Sequence, residues 1–252
     1  MDGGDAVSEE IAGIEAAAFA SWPAIDGDED CFGWWLRYGG GYTKRANSAN
    51  SVEGTPLLSE SQIETVAQRY RARGLQPIFR LVSTFAPPGM DAALERCGFR
   101  YVDRSQVLIA PVNDRQTRDG LCLLDDAEAW MAAFAEASGS PVANHDVHLR
   151  MLRSIEAPCA FAVERRNGQV ACVALGVVVD GRLGLFDVAT AARWRRQGLA
   201  TQLCMRLLGW GRARGARMAY LQVVADNTAA VALYEQLGFR EAYHYWYRVA
   251  AP

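Results

Sequence analysis

Two short stretches in the C-terminal half of this 252-residue chain combine residue types that could do chemistry. The first is Arg193-Trp194-Arg195-Arg196-Gln197-Gly198-Leu199-Ala200-Thr201, which follows the strand-like run ending Phe186-Asp187-Val188-Ala189-Thr190. It opens a helical pattern with Leu199, Leu203 and Leu207 on one face. The first turn of a helix has N–H groups without carbonyl partners and a partial positive charge, so it can hold an anion. Gly198 and Ala200 keep that turn bare enough for phosphate oxygens to reach the backbone, and Arg195 and Arg196 add charge beside it. The second stretch runs from Asn227 to Phe239, with Asn227 lying 29 positions after Gly198. Asn227 is a favoured helix N-cap, Ala230, Leu233 and Leu237 form the expected core stripe, and Gly238 suits a left-handed helix end. Tyr234 lies seven positions after Asn227, on a face neighbouring the core stripe. Taken singly, each feature has a plainer reading: a solvated helix start, a cap, and a tyrosine at a core edge.

The elements that must position these residues follow from periodicity and turn chemistry. Leu121–Leu124 reads as a short strand and Asp126–Ala137 as a helix. Ala160–Glu164 and Val170–Val179 are apolar, β-branched runs joined through Asn167-Gly168, and Asp180-Gly181 makes the next tight turn into Arg182–Thr190. Tyr220–Val224 is a strand, Thr228 to about Leu237 a helix, and the aromatic run through Tyr243, His244, Tyr245 and Tyr247 a last strand.

Upstream, the polar stretch Pro111–Gly120 is the best linker candidate. Arg71-Ala72-Arg73-Gly74 recurs 141 positions later as Arg212-Ala213-Arg214-Gly215, and Cys97-Gly98-Phe99-Arg100 recurs 140 positions later as Leu237-Gly238-Phe239-Arg240. Chance matching in an Arg-, Ala- and Gly-rich chain competes with duplication, but the matched spacing favours duplication. The first copy lacks the chemistry: Leu94 stands where Tyr234 would be, and Gly54–Ser59 replaces the arginine-rich loop. Phe32–Arg37 through Thr43–Ser48 reads as two strands around a glycine-rich turn, and Asp26–Asp30 as a solvated loop.

Composition narrows the class. Half the residues are hydrophobic, 22% are charged and the net charge is −3, a globular balance without the basic footprint of a nucleic-acid binder. Lys44 is the only lysine. The longest apolar run, Val170–Val179, is half the length of a membrane span, and the acidic start lacks the layout of a signal peptide. The six cysteines show no C-x-x-C pair and read as buried free thiols of a cytoplasmic protein. His145 and His148 flank Asp146 at helical spacing without further ligands, so polar surface is expected there and no metal site.

Arg195, Gly198 and Ala200 occupy the three fixed places of [Gln/Arg]-x-x-Gly-x-[Gly/Ala], the signature that this loop resembles in the GNAT superfamily of N-acetyltransferases. The Asn227–Phe239 string is similar to that family's Asn-x-x-Ala-x-x-x-Tyr-x-x-x-Gly-Phe. The resemblance covers about 130 residues. It implies an α/β GNAT fold with a mixed, mostly antiparallel central sheet flanked by helices. Two tandem copies are expected, a degenerate one over residues 1–112 and a catalytic one over 119–252. It further implies an acyl-CoA-dependent N-acyltransferase moving acetyl from acetyl-CoA to a primary amine of a small molecule or peptide, with no metal, nucleic acid or membrane involved and room for a homodimer. A non-catalytic CoA-binding sensor is the alternative. In that family Arg195, Arg196, Gln197, Gly198, Leu199, Ala200 and Thr201 would cradle the pyrophosphate of coenzyme A, with Asn227 and Ala230 also on the cofactor. The main chain at Val188 and Thr190 would pair with pantetheine, and Tyr234 would protonate the departing thiolate. Relatives often carry Glu or His at the positions that are Gly184 and Phe186 here, so no base is apparent; strand alternation turns Asp187 to the other face.

Overall fold

The computed structural model describes residues 3–113, 117 and 119–251. Of the expected linker, Asp114, Arg115, Gln116 and Arg118 lie outside the described residues. The elements in chain order are α1 (Gly3–Ser21), β1 (Asp28–Cys31), β2 (Trp34–Arg37), β3 (Ala49–Asn50), α2 (Glu60–Arg71), β4 (Ile78–Val82), α3 (Met90–Arg96) and β5 (Phe99–Pro111). There follow β6 (Cys122–Leu123), α4 (Ala127–Ser138), α5 (Asp146–Arg153), β7 (Cys159–Arg166), β8 (Gln169–Val179), β9 (Arg182–Thr190), α6 (Leu199–Arg212), β10 (Met218–Val224), α7 (Thr228–Gln236) and β11 (Arg240–Ala250). Two readings of the first half change. Asp28–Cys31 is a strand paired with β2, and Thr43–Ser48 holds a 3-10 turn over Lys44–Ala46 where a strand was expected.

The chain forms two compact units. The first comprises residues 1–107, 223–227 and 241–252, and the second comprises residues 108–222 and 228–240. In the first the strand order is β1-β2-β3-β4-β11-β5. β3 and β4 are parallel (Ala49↔Phe79, Asn50↔Arg80), while β11 lies antiparallel to β4 from Tyr245↔Val82 to Val249↔Ile78. The C-terminal strand therefore completes the N-terminal unit, which no local pattern announces. Helix α2 forms because Ser59 and Gln62 make a reciprocal capping box and Ile63, Val66, Ala67 and Tyr70 bury one stripe. Trp34, Phe79 and Phe99 meet edge-on at 5.3 Å in its core.

In the second unit the order is β10-β9-β8-β7-β6, and the end of β5 joins it where Val112 N–H donates to the Arg217 carbonyl at 2.9 Å. Asn167-Gly168 and Asp180-Gly181 turn the β7-β8-β9 meander with positive φ at all four residues. β8 is buried at every position from Val170 to Val178, because α4 and α6 both pack on it. Close approach needs glycine. A Cβ on Gly211 of α6 would stand 2.8 Å from a Leu183 methyl, and one on Gly176 of β8 3.1 Å from a Leu207 methyl. All six cysteines are free, but only Cys31, Cys172 and Cys204 are buried, and Cys122 is exposed on edge strand β6. No helix among the described residues is long and apolar enough to cross a membrane.

Candidate active site

β9 and β10 pair in parallel only from Arg182↔Met218 to Leu185↔Leu221. Beyond Leu185, β9 stays paired with β8 through Ala189↔Val173 and Thr190↔Cys172. The register shifts on the way, so Asp187 and Val188 together oppose the single residue Ala174, and Asp187 takes φ +50°. This is a β-bulge, which leaves an extra residue's main-chain groups off the ladder and re-aims its side chain. The last turn of β9 thus offers backbone donors and acceptors to an extended ligand, with Val188 and Thr190 at that edge.

β9 runs straight into the arginine-rich loop. A 3-10 turn over Ala192–Trp194 follows Thr190, and then Arg196 (φ +61°) and Gly198 (φ +73°) both adopt left-handed conformations. The first intrahelical bond of α6 runs from Gln202 N–H to the Gly198 carbonyl, so the N–H groups of Leu199, Ala200 and Thr201 precede the ladder. A Cβ on Gly198 would meet nothing nearer than Gln202 Nε2 at 4.0 Å, which leaves open space over the turn. Arg195 is partly committed: its Nε donates to the Thr190 carbonyl at 3.1 Å and pins the loop to the strand end. Arg196 and Gln197 are exposed, Leu199 is buried with Leu203 and Leu207, and Ala200 and Thr201 are half-buried. An exposed, arginine-flanked helix start with a bare left-handed glycine fits a pyrophosphate.

On α7 the expected core stripe is displaced. Ala230, Leu233 and Leu237 are half-buried, and the buried residue is Tyr234. Its ring meets Phe239 edge-on at 5.9 Å, and Phe239 N–H donates to the Tyr234 carbonyl after Gly238 turns the chain with φ +85°. Burial, then the Cys204 and Cys172 thiols, raise the Tyr234 pKa, so the hydroxyl keeps its proton at neutral pH. Cys172 also accepts a 3.3 Å hydrogen bond from Thr190 Oγ1, which ties Tyr234's surroundings to the end of β9. Asn227 groups with the first unit, is exposed, and donates its N–H to the Val224 carbonyl.

Gly184 has no room for a larger side chain, and two sequence readings nearby are corrected. A Cβ on Gly184 would collide with the Phe186 ring and stand 2.7 Å from the Tyr220 hydroxyl, so Phe186 and Tyr220 fill the space beside this glycine. His145 and His148 are buried, not surface residues. Asp187 does not sit on an inert face: its Oδ2 lies 2.8 Å from His148 Nε2. Strand alternation fails there because the bulge resets the parity of β9. No cluster of three metal-ligating side chains occurs among the described residues.

A bulged strand with an open edge, running into a left-handed glycine at a helix start, offers backbone groups to an extended, phosphate-bearing ligand. Over residues 8–248 the chain matches the family described as probable histone acetyltransferase Rv0428c C-terminal, and it belongs to that family of GNAT N-acetyltransferases. It is 29% identical over 251 residues to the uncharacterized N-acetyltransferase YobR of Bacillus subtilis (strain 168), spanning 96% of this chain and 99% of that protein. It is 30% identical over 254 residues to the probable histone acetyltransferase Rv0428c of Mycobacterium tuberculosis, spanning 93% and 72%. The solved GCN5-related N-acetyltransferase from Kribbella flavida superposes with a TM-score of 0.69 at 17% identity, over 96% of this chain and 95% of that one, a likeness of fold. The chain is an N-acetyltransferase with an acyl-CoA donor.

Proposed function

We propose that this enzyme moves an acetyl group from acetyl-CoA to a primary amine of a small molecule or peptide. The observation that carries the reading is the continuity of the β9 bulge with the Gly198 turn, which sets pantetheine-sized backbone edge and phosphate-sized helix start end to end. Arg195, Arg196, Gln197, Gly198, Leu199, Ala200 and Thr201 hold the pyrophosphate, with Asn227 and Ala230 completing the cofactor contacts. The main chain at Val188 and Thr190 pairs with pantetheine, and an amide aimed at the thioester oxygen stabilises the charge that develops there. The amine nitrogen attacks the carbonyl carbon, the C–S bond breaks, and Tyr234 gives its proton to the sulfur.

We further read the chain as two tandem copies, a degenerate one over residues 1–112 and a catalytic one over 119–252. The sequence α2-β4-α3-β5 parallels α6-β10-α7-β11, and β3 lies parallel to β4 as β9 does to β10. Leu94 of α3 holds Tyr234's place, so the first copy has no acid to give.

The test is release of free coenzyme A thiol from acetyl-CoA across a panel of small primary amines and peptide N-termini. Amine-dependent release, with an acetylated product by mass spectrometry, is expected. Thiol release that no amine in either class accelerates would overturn the acceptor assignment.

A further inference from the structure

The acceptor's proton needs a destination, and the usual strand positions are blocked by Gly184 and Phe186. One buried acid–imidazole pair in the second unit has no part in donor binding or thiolate protonation. Asp187 Oδ2 lies 2.8 Å from His148 Nε2, with the aspartate side chain 15% exposed and the histidine fully enclosed. Among the described residues this is the only hydrogen bond made by the Asp187 carboxylate. His148 is itself held rigidly: Trp130 and Phe134 of α4 meet its ring edge-on at 6.2 and 5.3 Å. Asp187 is also held in an unusual backbone state, with φ +50° in the middle of a strand. Such conformations cost energy and persist where the surroundings fix them, commonly at functional sites. The same bulge includes Val188, the next residue along the chain, whose main chain the acetyl-transfer reading assigns to the thioester.

We infer that Asp187 is the catalytic residue that takes the acceptor amine's proton, with His148 as the positioning residue that holds its carboxylate at the bulge. This rests on the acetyl-transfer reading above. As the neutral amine forms its C–N bond, its nitrogen becomes cationic and its proton strongly acidic. That proton passes to the Asp187 carboxylate, the C–S electrons go to sulfur, and Tyr234 supplies the sulfur's proton; Asp187 then releases its proton to water and the Tyr234 phenolate takes one back from water, which restores both groups. Among the described residues, His145, in the 3-10 turn preceding α5, is a further titratable group facing the pair, its ring 5.9 Å from that of His148. The facing β8 residue Ala174 and the α4 rings carry no charge.

The test measures kcat against pH, together with calorimetric acetyl-CoA affinity, for the full-length chain and for Asp187→Asn and His148→Asn. With a working amine, Asp187→Asn should lose about 10²-fold or more in kcat and its acid limb, with acetyl-CoA affinity unchanged. His148→Asn should lose less and shift the acid limb, because a structural pair would change melting temperature without moving the limb. Wild-type kcat and an unaltered profile in folded Asp187→Asn would overturn the assignment. Should neither variant fold, a wild-type kcat that does not fall at all toward acid pH would overturn it too. Absence of acetyl-CoA binding by the wild type would instead defeat the underlying donor-site reading.

Discussion

Tyr234→Phe is expected to lower kcat for acetyl transfer by about 10²–10⁴-fold, the usual contribution of a positioned acid, while KM for acetyl-CoA stays close to wild type. The substitution removes one hydroxyl and keeps the ring that packs on Phe239 at 5.9 Å, so fold and donor binding have little reason to change. The hydroxyl's raised pKa matters for the sign. Burial disfavours the phenolate, so the hydroxyl holds its proton through the neutral range. Tyr234 should therefore contribute no basic limb to the rate profile below about pH 10, the free tyrosine value. Single-turnover kinetics with an amine that turns over would isolate the step. Full kcat in the variant, with chemistry limiting, would make Tyr234 a packing residue. A loss confined to KM would make it a cofactor contact.

Glu15→Ala is expected to destabilise the first unit by about 3–5 kcal/mol, the cost of stranding one member of a buried ion pair. Glu15 accepts two hydrogen bonds from the Arg80 guanidinium, one of them 2.9 Å long, and a third of 2.6 Å from the Tyr243 hydroxyl. Arg80 is fully buried and lies 3.7 Å over the Tyr245 ring. Burial works against its charge, but the charge and hydrogen bonds of Glu15 outweigh that and hold the guanidinium above its usual pKa. Removing Glu15 leaves that charge without its counter-ion. Arg80→Met should cost a comparable amount, and the double variant much less than the two together, because the pair is coupled. Urea unfolding monitored on the full chain would show this; single-variant losses below about 1 kcal/mol would place the pair among weak surface bridges.

The second unit was largely legible because its signals are local. Asn167-Gly168 and Asp180-Gly181 fix two hairpins, Gly198 marks a helix start and Gly238 a helix end, and each took the positive φ its role requires. What escaped the sequence is non-local. Residues 241–252 group with the first unit because β11 pairs with β4, 167 residues away in the chain at Tyr247↔Arg80 (247 − 80). No periodicity encodes that choice of partner. The Asp187–His148 contact was missed for a related reason: alternation assumes a regular ladder, and one extra residue opposite Ala174 reverses it. The core stripe on α7 failed because Leu233 and Leu237 are as apolar as any core residue, yet the fold buries Tyr234 in their place. An aspartate that takes a left-handed conformation inside a strand has no one-dimensional signature.

The most direct measurement of the donor site is a calorimetric titration of acetyl-CoA into the full chain and into Gly198→Glu. The helix start at Gly198 is open: a Cβ there would have no neighbouring atom nearer than 4.0 Å, so the variant side chain can be housed at the cost of a strained φ of +73°. It would put a carboxylate at the seat proposed for the pyrophosphate. Each lost charge-assisted bond is worth about 1.5–3 kcal/mol, so a melting curve that shows a folded variant should be accompanied by at least a tenfold loss of affinity. Wild-type affinity in that folded variant would contradict the assignment of this loop as the seat of the cofactor.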